Sequence, residues 1–133
     1  MAASSQTCYP GAVTNLHHAV RYSFQMVGAG AATLTYGVGA SKVVASKGYA
    51  ATGTHTLVFR NAGTFVGARV SVSGTSAVVG LSDAITGDCS WDSATKTLTV
   101  KFYNLAATPA AAEVASGDLV WVEAEFVDSP NGT

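Results

Sequence analysis

The residues able to do acid, base or nucleophilic chemistry are few in this chain, and their spacing decides what each can do. Ser93 and Lys96 have the S-x-x-K spacing in which one helical turn sets a lysine amine beside a serine hydroxyl for acyl transfer. Here they lie in DSATK at 92–96, a run that reads as a hairpin turn, so the acyl-transfer geometry is not expected. Glu123 and Glu125 alternate within one apolar stretch, which puts their carboxylates on the same strand face about 7 Å apart. Such a pair could serve glycoside hydrolysis or calcium ligation. No third acid is placed near them by sequence, and the expectation is a solvated face. His17 and His18 are adjacent and would diverge on a strand, whereas His55 alternates with Leu57 and Phe59 and belongs with a core set. Gly28-Ala29-Gly30 follows a strand, but neither a third glycine nor an amphipathic helix comes after it to bind a pyrophosphate. Cys8 and Cys89 lie far apart, outside any C-x-x-C pair and away from histidines at ligand spacing. They are expected to be unpaired thiols, with a disulfide as the alternative. Asn131-Gly132-Thr133 is a glycosylation sequon at the terminus, relevant only in a eukaryotic secretory pathway. No metal, no cofactor and no enzymatic activity are expected.

The elements that position these residues are strands. VRYSFQM at 20–26, TLTVKFYN at 97–104 and LVWVEAEFV at 119–127 alternate apolar and polar residues strictly. Period-two alternation buries one set of side chains and exposes the other, the pattern of antiparallel strands packed as two layers. The expected fold is all-β, an antiparallel β-sandwich, jelly-roll or Ig-like, of about seven to nine strands. Residues 1–16 are expected to be an extended N-terminal arm and 17–133 one sandwich domain, ending in a polar tail at 128–133.

Along the chain, Val20, Tyr22, Phe24 and Met26 should face the core, and Leu34, Tyr36 and Val38 should form a short alternating strand. Residues 42–45 offer another short strand. His55, Leu57 and Phe59 share a face, 60–63 form a turn, and Val66, Ala68, Val70 and Val72 share a face of the next strand, together reading as a hairpin. Val78, Val79 and Leu81 mark a weaker strand. Trp91, the turn at 92–96, and inward Leu98, Val100 and Phe102 form the clearest hairpin. Across 105–118 the alternation stops. Thr108 as N-cap, Pro109 and the alanines suit a helix of about two turns, or the segment is a plain crossover loop. In the last strand Val120, Val122, Ala124 and Phe126 form the inner face. That leaves Trp121, with Phe65 and Tyr103 on their own strands, opposite the core sets. Such aromatics either sit under a second layer or meet a partner.

Charged residues make up 11% of the 133 positions, against about 25% in an average soluble protein. The net charge is -1, and the seven Lys and Arg are scattered from Arg21 to Lys101. No basic patch results, so direct nucleic-acid binding is not expected. Apolar runs are broken every few residues, well short of the roughly 18 needed to span a bilayer, so no membrane partner is expected. The start, MAASSQTCYPGAVTN, has neither a basic nor an apolar signal region, which predicts synthesis in a cytoplasm. A surface this poor in charge suits a subunit that lives packed in an assembly.

GTHTLVF at 53–59, FVGARVSV at 65–72, TKTLTVKFYN at 95–104 and GDLVWVEAEF at 117–126 together resemble small β-sandwich proteins of tailed bacteriophages. The resemblance spans roughly 20–127 and rests on structural positions. It implies a virion structural protein, a capsid decoration or cement protein made in the host bacterial cytoplasm and placed on the capsid exterior. Its implied partner is the major capsid protein lattice, and its implied state a homo-oligomer, with a homotrimer favoured. Tyr9 in the arm, Phe65, Tyr103 and Trp121 are then the candidate partner-interface residues. The alternatives are a tail, fibre or spike component, or a glycan-binding β-sandwich module for host-surface adhesion, in which exposed aromatics stack on sugars.

Overall fold

Alternation along this chain resolves into eight strands and one helical turn in a computed structural model that describes residues 18–74 and 84–128. In order these are β1 (His18–Val27), β2 (Thr35–Tyr36), α1 (Ala40–Val43), β3 (Val44–Ala51), β4 (Thr54–Phe59), β5 (Thr64–Ser73), β6 (Ile85–Asp92), β7 (Thr97–Asn104) and β8 (Leu119–Asp128). They form two four-stranded antiparallel sheets. Sheet A runs β2-β1-β8-β5 and sheet B runs β3-β4-β7-β6. The expected arm at 1–16, with Tyr9 and Cys8, and the strand at 78–81 lie outside the described residues, as does the tail expected at 128–133 apart from Asp128, which ends β8.

The core sits between the sheets. Sheet A contributes Phe24 and Met26 from β1 and Val120, Val122, Ala124 and Phe126 from β8, while sheet B contributes Leu57 and Phe59 from β4 and Leu98, Val100 and Phe102 from β7. These are the inner sets that alternation assigns, because each strand is buried on one face only, except that Val20, expected in the β1 set, is exposed near the start of its strand. At one end the rings of Tyr22, Phe24, Phe59, Phe65, Trp91 and Phe126 meet edge-on or stacked, with centroids 5.0 to 6.1 Å apart.

Four expectations are corrected. First, β4 and β5 are not a hairpin. Residues 60–63 carry the chain from sheet B to sheet A, where β5 pairs with β8. The crossing is fixed by Arg60, whose N–H donates to the Val43 carbonyl at 2.8 Å and whose Nε donates to the Ser41 carbonyl at 3.0 Å. Second, Phe65 points inward. A β-bulge between Phe65 and Gly67 places both Phe65, opposite Phe126, and Ala68, opposite Ala124, on the core side, and leaves Val66 exposed. Third, of Leu34, Tyr36 and Val38 only Leu34 is buried, and the strand shrinks to Thr35–Tyr36. Fourth, 42–45 is not a strand of its own. It spans the end of α1 and the start of β3, a strand whose two register shifts hide its alternation.

The segment 105–118 takes the crossover form rather than the helix. Its polar groups bond to distant chain: the Ala112 N–H to the Phe102 carbonyl, the Val114 carbonyl to the Gly30 N–H, and the Asp118 carbonyl to the Gly28 N–H. The Asn104 Oδ1 accepts from both Ala106 and Ala110. Val114 is buried in the core. A helix of two turns would give up these contacts, and such a helix is marginal by itself.

Candidate functional site

The two outer faces of the sandwich differ in chemistry. On sheet A, β8 is paired along its whole length to β1 on one side and from Leu119 to Val127 to β5 on the other, so its outward side chains stand on a floor held from both sides. Glu123 lies between Ser23 and Arg69, Glu125 between Arg21 and Gly67, and Trp121 between Gln25 and Ser71. The Arg69 Nη2 and Nε are each 2.8 Å from Glu123 Oε1, the Ser23 hydroxyl is 3.4 Å from Glu123 Oε2, and Arg21 Nη2 is 3.4 Å from Glu125 Oε1. Both arginines are well exposed, so these pairs orient the side chains and add little stability. Trp121 is 44% exposed. A depression of about 320 Å³ is lined by Arg21, Gly67, Arg69, Glu123 and Glu125, and Arg69 separates it from a second of about 280 Å³ reaching Ser71 and Trp121.

On sheet B the outward residues of β4 and β7 are Thr54, Thr56, Val58, Thr97, Thr99, Lys101 and Tyr103, with Thr56 opposite Thr99 and Val58 opposite Thr97. Ser90 of β6 extends the row beside Thr99, and the register sets Lys101 opposite Asp88 at one side. The exposed Asp88, Asp92 and Lys101 lie toward β6, and short, half-buried hydroxyl and methyl groups make up the β4 and β7 rows of this face. Tyr103 stands at its end, half-buried and bridged to Ala111.

The interface candidates named by sequence are therefore separated. Phe65 is packed inside, its ring stacked on Trp91 at 5.3 Å and 9°. Tyr103 and Trp121 lie on opposite outer faces. Tyr9 lies outside the described residues.

Of the residues with catalytic potential, Ser93 and Lys96 occupy the turn between β6 and β7, with Lys96 at φ 54° and Asp92 Oδ1 accepting from the Ala94 N–H at 2.9 Å. No helix brings them together. Gly28 lies against the 114–118 segment, where a Cβ would run into the Ala115 carbonyl oxygen, so that stretch is closed to a phosphate. Among the described residues no three His, Cys, Asp or Glu side chains converge as metal ligands. No described helix is long and apolar enough to cross a membrane.

One polar cluster was not legible in sequence. His55 is 1% exposed between the rings of Tyr49 and Phe102, and neither ring nitrogen has a hydrogen-bond partner. Its Nε2 is 3.9 Å from Glu113 Oε1. Glu113 accepts from the Gly53 N–H at 2.6 Å and from the Tyr49 hydroxyl at 2.5 Å. Burial holds the His55 pKa below its ordinary value, against the opposing pull of the Glu113 charge. The hydrogen bond to Glu113 and burial push Tyr49 up. Glu113 thus clamps the crossover segment to the β3–β4 turn. Cys89 is a half-buried free thiol, its pKa raised by burial and then by Asp88.

The fold defines an antiparallel, two-sheet β-protein. No family model matches the chain, and no curated protein or solved structure shows a significant match to it.

Proposed function

We propose that this protein is a virion structural component, a capsid decoration or cement protein that lies on the outer surface of the major capsid protein lattice and stabilises the head. The sequence resemblance to small phage β-sandwich proteins motivates the reading. The observation that carries it is the outer face of sheet B, where Thr54, Thr56, Thr97 and Thr99 stand in adjacent rows. β-Branched side chains have little rotamer freedom to lose on docking and their hydroxyls both donate and accept, while the charges of this face, Asp88, Asp92 and Lys101, lie toward its β6 side. A flat partner covering that face would bury a preorganised surface. Each copy then contributes a modest contact free energy, which the closed lattice multiplies. Tyr103 at the end of the same face is the aromatic contact, and a homotrimer is the assembly we favour.

The test is cosedimentation of purified protein with mature phage heads stripped of accessory proteins, scored against tails. Saturable binding in fixed ratio to the major capsid protein supports the reading. Thr99→Lys, which puts a flexible charge in the middle of the face, should weaken binding by about tenfold or more while leaving the fold intact. Retention on tails and not on heads would instead move the protein to a tail, fibre or spike.

A further inference from the structure

We infer that the outer face of sheet A, opposite the face assigned to the capsid, is a binding site for a neutral saccharide, with Trp121 as its stacking platform. Three features converge. The bulge that turns Phe65 into the core sets Gly67 opposite Glu125, and a Cβ built on Gly67 would meet nothing within 4 Å. The depression of about 320 Å³ opens there and is followed, past Arg69, by the one that reaches Trp121. The indole stays uncovered because its neighbours across the sheet are Gln25 and Ser71, neither of which is apolar or aromatic.

The chemistry of the walls selects the ligand. Arg21 and Arg69 against Glu123 and Glu125 sum to zero charge, with donors and acceptors alternating at hydrogen-bond range of one another. A sugar hydroxyl is both donor and acceptor, so neighbouring hydroxyls can bond to a guanidinium and a carboxylate side by side. The apolar C–H face of the ring can then cover the indole. An anionic ligand would meet two carboxylates, and a cationic one would meet the two exposed guanidiniums. A flat protein partner would have to strip water from both ion pairs, which at best breaks even. A polyhydroxylated ligand replaces that water with its own hydroxyls.

The test is affinity electrophoresis of the full chain in native gels cast with dextran, mannan or β-glucan, with dextran sulfate as the charged control. Retardation is expected in at least one neutral gel. It should fall about tenfold or more in Trp121→Ala, and likewise in Gly67→Gln. Gly67→Gln fills the depression from a backbone position open to any side chain, so it keeps the fold, as near-ultraviolet circular dichroism would show. Thr99→Lys should be retarded like the parent. Retardation in no neutral gel, retardation confined to dextran sulfate, or retardation that survives both sheet A variants would each overturn the proposal. The capsid reading rests on the other face and on head binding, so either can fail without the other.

Discussion

Gly53→Ala is expected to be among the most damaging one-methyl changes in this protein. Gly53 sits at φ 68°, where an L side chain costs about 1 to 2 kcal/mol. The added Cβ would also lie 2.6 Å from the Phe102 carbonyl oxygen and 2.7 Å from that of Ala112. Both are backbone atoms, so the chain itself must move. Movement there strains the bonds from the Phe102 N–H to the Gly53 carbonyl, at 2.7 Å, and from the Ala112 N–H to the Phe102 carbonyl, at 3.0 Å. At about 0.5 to 1.5 kcal/mol each, their loss brings the total to roughly 2 to 5 kcal/mol. That is a large part of the roughly 5 to 15 kcal/mol a domain has. Urea unfolding of Gly53→Ala beside Gly30→Ala measures it. Gly30 has nearly the same φ, 67°, but an added methyl there would meet nothing within 4 Å. Gly30→Ala therefore isolates the dihedral cost. Gly53→Ala should be at least about 1 kcal/mol worse than its control, the share assigned to the two bonds. Equal losses would refute the close approach between the β3–β4 turn, β7 and the crossover segment.

Two further outcomes follow from the buried groups. The unfolded chain protonates His55 near its ordinary pKa of about 6.5, while burial holds the folded value lower. The folded state thus binds fewer protons, and stability should be full above about pH 6.5 and fall as pH drops through that value toward the folded pKa. Thermal melts between neutral and mildly acidic pH should show this slope and should lose much of it in His55→Phe; an unchanged slope would assign the effect elsewhere. Phe65→Ala should cost about 2 to 4 kcal/mol, less than a fully buried phenylalanine because the ring is half-buried, whereas Trp121→Ala should cost less than about 1 kcal/mol. Equal losses in denaturant titrations would contradict the bulge that turns Phe65 inward and leaves Trp121 out.

The inner faces of β1, β7 and β8 were readable because their alternation is local and unbroken: Phe24, Met26, Leu98, Val100, Phe102, Val120, Val122, Ala124 and Phe126 are all buried. His55 was readable as a core residue for the same reason. Phe65 was not, since one extra residue in β5 reverses the count beyond it, and only the pairing to β8 reveals the bulge. The outward position of Trp121 and of the Glu123 and Glu125 pair was legible. Their arginine partners were not, because Arg21 and Arg69 reach them from strands 104 and 54 residues away in sequence.

What the amino-acid order determined by itself is the class of fold, since a period of two commits each strand to one buried and one exposed face wherever it goes. Only the tertiary structure decided which strands are neighbours. The pattern of β4 and β5 is the same for a hairpin and for a crossing between sheets, and the alanine-rich 105–118 segment satisfies its backbone either within itself or against β7 and the glycines at 28 and 30. Those choices rest on hydrogen bonds and ring contacts between residues distant in the chain. They also decided that Tyr103 and Trp121 face opposite ways and that Gly67 leaves a hollow beside Glu125.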